Sequence, residues 1–151
     1  MLNYFRGIDE EDLLNDSRII YPIHSALGYA NNLDGVLRQC SSYRGIKKIH
    51  RILRAKTLTV SEPDKHKTKV LVSSNDFKPV FKQIFSSDVY MSARFPITKR
   101  NTKYTLIFSE DDNSEILMYF GKDRMYYGKR EYYQLQTMGP QLTEWLDEVL
   151  S

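Results

Sequence analysis

Three histidines and one cysteine are the residues best suited to metal or nucleophile chemistry, and their spacing argues against both. His24, His50 and His66 lie far apart and Cys40 stands alone, whereas zinc needs several such ligands at short spacing. Two patterns echo nucleases. Pro63-Asp64 followed by Asp76-Phe77-Lys78 has the residue types that hold a divalent cation and activate water. However, Asp64 falls in a turn signal and Asp76 at a helix start, so no strand presents both carboxylates. His66-Lys67-Thr68 has the form used by two-histidine phosphoesterases, but the second element that chemistry needs is missing. Glu110, Asp111, Asp112 and Glu115 cluster near one hairpin. They lack the alternation and glycine of a calcium loop, and read as a solvated turn. The strings G-x-S-x-G, G-x-x-x-x-G-K and G-x-G-x-x-G are absent. No catalytic residue, metal or cofactor is assigned on this basis.

A metal-independent ribonuclease survives as one alternative. Small toxin-like ribonucleases display Lys, Arg, Tyr and His on an antiparallel sheet. Here His50, His66, Lys129, Arg130 and Tyr132 are the candidates, as acid–base groups and as cations facing phosphorane-like charge.

The stronger signal is for binding. Residues 120 to 133 interleave five aromatics with four cations. Aromatic faces stack on unpaired bases while Lys and Arg meet phosphates. From this stretch Tyr126, Tyr127, Lys129, Arg130 and Tyr132 are nominated. Lys99, Arg100 and Lys103 form a second basic cluster. Arg44, Lys47, Lys48, Arg51 and Arg54 form a third, along one face of a helix. Tyr and Arg also dominate protein–protein hot spots, so a protein-only interactor, such as an inhibitor or immunity-type factor, is the other alternative. A membrane-surface helix ranks low, because the apolar face at 46–53 holds only Ile and Leu.

Charge supports an acidic partner. The net charge is +3, but residues 38 to 69 hold ten Lys or Arg against two acids. Residues 1 to 16 hold five acids (Asp9, Glu10, Glu11, Asp12, Asp16) against Arg6. Such polarity points to nucleic acid or an acidic nucleoprotein surface.

The elements that must position these groups follow from hydrophobic period. The chain has 151 residues, 41% hydrophobic and 27% charged, as expected of one globular domain. Its longest apolar runs are far short of the roughly twenty residues a membrane span needs. With one cysteine and no signal-like start, a cytoplasmic location is expected. Asp9 to Leu14 reads as a short acidic helix. Ile23, Leu27, Ala30, Leu33 and Leu37 recur at helical spacing after Pro22. Arg44 to Lys56 is an amphipathic helix with Ile46, Ile49, Ile52 and Leu53 opposite its cations. A hairpin pairs 57–61 with 68–73 around Glu62-Pro63-Asp64-Lys65. Phe77, Val80, Phe81, Ile84 and Phe85 mark a core helix capped by Asp76, with Pro79 in its first turn. Strands follow around 89–95, 104–108, 116–120, 125–127 and 131–135. Gly139-Pro140 opens a last helix striped by Leu142, Trp145, Leu146, Val149 and Leu150.

The expected fold is therefore α+β. It has a helical portion (1–56), a sheet portion (57–136) of about five or six mainly antiparallel strands with one inserted helix, and a closing helix (139–151). The expected function is a non-enzymatic binding or regulatory protein that docks a basic, tyrosine-rich surface on nucleic acid or a nucleoprotein complex.

Overall fold

The computed structural model describes residues 17–30, 32–40, 43–86, 88–91, 103–119, 124–127, 131–134 and 139–151. Asn32 divides the helical portion where the apolar spacing runs straight through. Helix α1 spans Ser17–Tyr29 and α2 spans Leu33–Gln39. Between them Asn32 adopts an extended backbone, and its side-chain oxygen accepts a hydrogen bond from the Gly35 N–H at 3.2 Å. An Asn N-cap satisfies a donor that the first helical turn leaves open. The continuous stripe 23–37 is thus two helices, and Leu33 falls on the solvent side at 48% exposure. Pro22 lies inside α1 and not at its start, so that turn lacks one backbone bond.

Helix α3 spans Tyr43–Leu53, three residues shorter than expected at its C-terminal end. Ile46, Ile49 and Ile52 are buried. The backbone leaves the helix at Arg54, and the Lys56 N–H bonds the Ser109 carbonyl at 2.8 Å, which starts the sheet.

Strand β1 (Thr57–Glu62) pairs antiparallel with β2 (Lys67–Leu71), Glu62 opposite Lys67. The connection is a 3-10 turn at Pro63–Lys65 followed by left-handed His66 at φ 52°. The hairpin thus turns over four residues, and Val72 lies beyond the paired strand. Two short helices follow, α4 (Ser74–Phe77) and α5 (Pro79–Phe85). Asp76 sits within α4 and caps nothing, while Pro79 is the first residue of α5. Strand β4 (Tyr104–Glu110) lies on the other side of β1. Its alternation buries Tyr104, Leu106 and Phe108 beside Leu58 and Val60.

Beyond β4 the backbone ladder continues antiparallel through β5 (Asn113–Tyr119), β6 (Arg124–Tyr127) and β7 (Glu131–Gln134) to β3 (Asp88–Met91). The α+β class and the antiparallel sheet agree with expectation, shown most fully in β2-β1-β4. The expected count of five or six strands is not confirmed. The expected acidic helix at 9–14 lies outside the described residues.

Helix α6 (Gly139–Leu150) packs on β1, β2 and α5. Leu142, Leu146 and Leu150 are buried, with Trp145 and Val149 partly buried against them. This is the expected stripe. At the centre lies Phe81, whose ring sits 5.2 Å from Tyr29, 6.1 Å from both Phe77 and Phe85, and 6.0 Å from Phe108.

Phe81 is 2% exposed, so Phe81→Ala should cost about 3–5 kcal/mol in urea unfolding. Leu33→Ala, on an exposed helix face, should stay within about 0.5 kcal/mol. Equal losses in the two variants would show that Phe81 is not a central packing residue.

Candidate nucleic-acid interface

Helix α3 presents its cations because its other face is committed to the core. With Ile46, Ile49 and Ile52 buried, residues three and four apart on the opposite side share a solvent face. Lys47 and Arg51 are exposed there and Lys48 is half-buried. Arg44 lies in the first turn of α3. Arg54 belongs to the turn after the helix, and its guanidinium sits 3.1 Å from Glu110. The expected row of five cations is therefore modified at its end, where Arg54 answers a carboxylate.

The acidic hairpin explains why. Glu110 is opposite Asn113 in register, so Asp111 and Asp112 form the whole loop between β4 and β5. Asp111 takes the left-handed conformation at φ 48°, which Asp tolerates better than most residues. Its carboxylate accepts a 2.8 Å hydrogen bond from Lys56 Nζ. This bond, then the Asp111 charge, raises the Lys56 pKa. Two of the four clustered acids thus face cations of the α3–β1 connection. Among the described residues no group of three His, Cys, Asp or Glu could hold a metal ion.

The nuclease-like patterns are also placed. Asp64 lies in the 3-10 turn, whereas Phe77 of Asp76-Phe77-Lys78 is buried in the core. His66 is an exposed loop residue, His24 is exposed on α1, and His50 is half-buried on α3. A groove of about 200 Å³ between α5 and α6 is lined by Pro79, Val80, Gln83, Leu142 and Trp145. None of these five can act as a general acid or base, so the groove offers no acid–base catalysis.

Lys103 does not stand apart as a cationic contact. Its Nζ lies 4.9 Å from the centroid of the Tyr104 ring, a cation–π distance. The Tyr104 hydroxyl donates to Asp147 of α6. Tyr126 is opposite Tyr132, and Tyr127 opposite Glu131, in the β6–β7 register. Lys99, Arg100, Lys129 and Arg130 lie outside the described residues.

One cationic strip was not nominated from sequence. Among the described residues strand β2 has a single strand neighbour, β1, and it exposes Lys67 and Lys69 beside Lys65 of the turn. Lys65 Nζ lies 3.0 Å from the buried carboxylate of Glu62, and that hydrogen bond raises the Lys65 pKa. The signal was the Lys-x-Lys-x-Lys spacing at 65–69, where a turn feeds a two-residue period.

Two titrations follow. Burial, then the nearby Arg54 charge, lowers the His50 pKa against a smaller opposing pull from Glu110. The unfolded chain therefore takes up this proton first as pH falls. The contribution to stability is full above the ordinary value of 6.5 and declines as pH drops toward the lowered folded value. Urea unfolding across mildly acidic pH should show that decline, and His50→Gln should flatten it. An unchanged pH profile in His50→Gln would exclude His50 as the source. Burial also pushes the Cys40 thiol up to about 12, so alkylation at mildly alkaline pH should be slow in the native protein and fast in denaturant. Rapid native labelling would contradict the placement of Cys40. In comparisons with known proteins the chain matches no family model, no curated protein and no solved structure.

Proposed function

We propose that the protein is a non-enzymatic binding module that places the cationic face of α3 on the phosphates of a nucleic acid. The observation that carries this reading is the exposure of Lys47 and Arg51 above the buried Ile46-Ile49-Ile52 ridge. The core fixes the helix, and the helix fixes the spacing of the charges. Phosphate contacts of this kind are insensitive to sequence and strongly salt-dependent. Exposed Lys65, Lys67 and Lys69 extend the basic character to a second element. Tyr126, Tyr127 and Tyr132 would add stacking on unpaired bases, with Lys99, Arg100, Lys129 and Arg130 as further phosphate contacts. A cytoplasmic setting suits this reading, and no described helix is long and apolar enough to cross a membrane.

A second reading, a protein partner, is favoured by the edge of the sheet. Val70 and Val72 are 53% and 74% exposed, and a strand at an edge offers backbone groups to an incoming chain. Binding of that kind would change little with salt.

The deciding measurement is a gel shift with labelled single-stranded RNA and single- and double-stranded DNA, at low and moderate salt, with and without EDTA. We expect a salt-sensitive shift without cleavage. Lys47→Glu combined with Arg51→Glu should weaken binding and reduce the slope of log affinity against log salt by about 1.4–1.8, since each phosphate contact contributes roughly 0.7–0.9. Unchanged affinity and slope in a folded double variant would exclude α3 as the docking face. Chelator-resistant cleavage would favour the ribonuclease alternative.

A further inference from the structure

Four of the five residues of β2 are exposed, Lys67, Thr68, Lys69 and Val70, and only Leu71 is buried. Among the described residues β1 is the one strand that pairs with it. In an antiparallel ladder alternate residues turn their N–H and C=O groups away from the neighbour. The open side of β2 therefore presents a row of such groups to an incoming strand. The register sorts the side chains between two faces. Lys67, Lys69 and Leu71 lie opposite Glu62, Val60 and Leu58, on the face that β1 buries. Thr68 and Val70 lie opposite Ser61 and Thr59, on the other face. Val70 is 53% exposed, and Val72, just beyond the strand, is 74% exposed. The edge thus carries cations on one face and β-branched side chains on the other.

Charge narrows what can pair there. The Glu62 carboxylate, opposite Lys67, sits 3.0 Å from Lys65 instead. Among the described residues neither Lys67 nor Lys69 has an ion-pair partner. A second copy pairing antiparallel about Thr68 would set Lys67 against Lys69 twice, and like charges directly opposite are destabilising. An extended segment with acids at the alternate positions opposite Lys67 and Lys69 meets opposite charge. Its intervening residues face Thr68 and Val70, where β-branched side chains pack well.

We propose that β2 is a docking edge for an extended acidic peptide in which Glu or Asp alternates with Val, Ile or Thr. This edge is a second site, separate from α3, and does not depend on the phosphate reading of that helix. Backbone pairing supplies the affinity that persists in salt, and the lysines select the strand.

The probe is a short fluorescein-labelled peptide alternating Glu with Val or Thr, added to the full chain. It should give a saturable rise in anisotropy and slow amide hydrogen exchange across residues 67–72. The counterpart with Lys in place of Glu should bind about tenfold more weakly, or less well still. Lys67→Glu combined with Lys69→Glu should invert that preference, whereas Lys47→Glu combined with Arg51→Glu should leave peptide binding in place. N-methylation of one alternate set of peptide amides should abolish binding, and of the other set should not. That readout needs no variant of the protein.

Equal affinity for the acidic and basic peptides, or no binding of either, would overturn the proposal. So would binding that survives N-methylation of both sets, which needs charge but no strand. Exchange slowed along β2 by single-stranded RNA and not by the peptide would assign the lysines to phosphates and overturn it. Concentration-dependent dimerisation that slows the same amides without peptide would assign the edge to a second copy and overturn it as well.

Discussion

The packing of Phe81 is the interaction on which the rest of the structure depends. One ring touches Tyr29 of α1, Phe77 of α4, Phe85 of its own helix and Phe108 of β4. It therefore joins the helical portion, the inserted helices and the sheet at one point. Aromatic pairs at these separations contribute beyond the area they bury. A buried polar bond reinforces the junction. Gln39 of α2 donates to the Ile84 carbonyl at 2.8 Å, in the last turn of α5, where helical carbonyls lack intrahelical partners. Hydrophobic and polar constraints thus hold α5 against α1, α2 and β4 together.

The electrostatic surface follows from that packing. Because α3 gives its Ile ridge to the core, its cations face outward. The chain then answers charge at the two hairpins. Arg54 and Lys56 meet Glu110 and Asp111 at the β4–β5 loop, while Lys65 meets Glu62 at the β1–β2 turn. The Lys56–Asp111 pair is exposed at both ends and contributes little stability. The Arg54 and Lys56 pairs partly neutralise the connection after α3, and Lys47 and Arg51 are exposed in the middle of that helix.

Strong periodicity was legible where one element had one clear face. The Phe77–Phe85 stripe is buried, though divided between α4 and α5 where one helix was expected, the Ile ridge of α3 is buried, and the closing helix at 139–150 buries Leu142, Leu146 and Leu150 with Trp145 and Val149 partly buried. Misreadings arose where a local polar group overrode the period. Asn32 capped a new helix inside an unbroken apolar stripe. Pro79 fixed a helix start three residues beyond the acid expected to cap it. His66 accepted a left-handed backbone and let the hairpin close over four residues, so that Glu62 and Lys67 join the strands. Each is a short-range hydrogen-bond or steric choice that a count of apolar residues does not register.

The exposure of Lys47 and Arg51 on α3 was legible for the same reason. The cations of α3 were found because an amphipathic period predicts both faces at once. Pairing across the fold was not visible, since Arg54 and Glu110 are 56 residues apart in sequence and meet only because β4 lies beside β1. The same adjacency explains the acidic loop at 110–112. In sequence it resembles a cation site, but in the fold its first two carboxylates face protein cations. A charge cluster in sequence therefore acquires a role only once the sheet order fixes which charges oppose it.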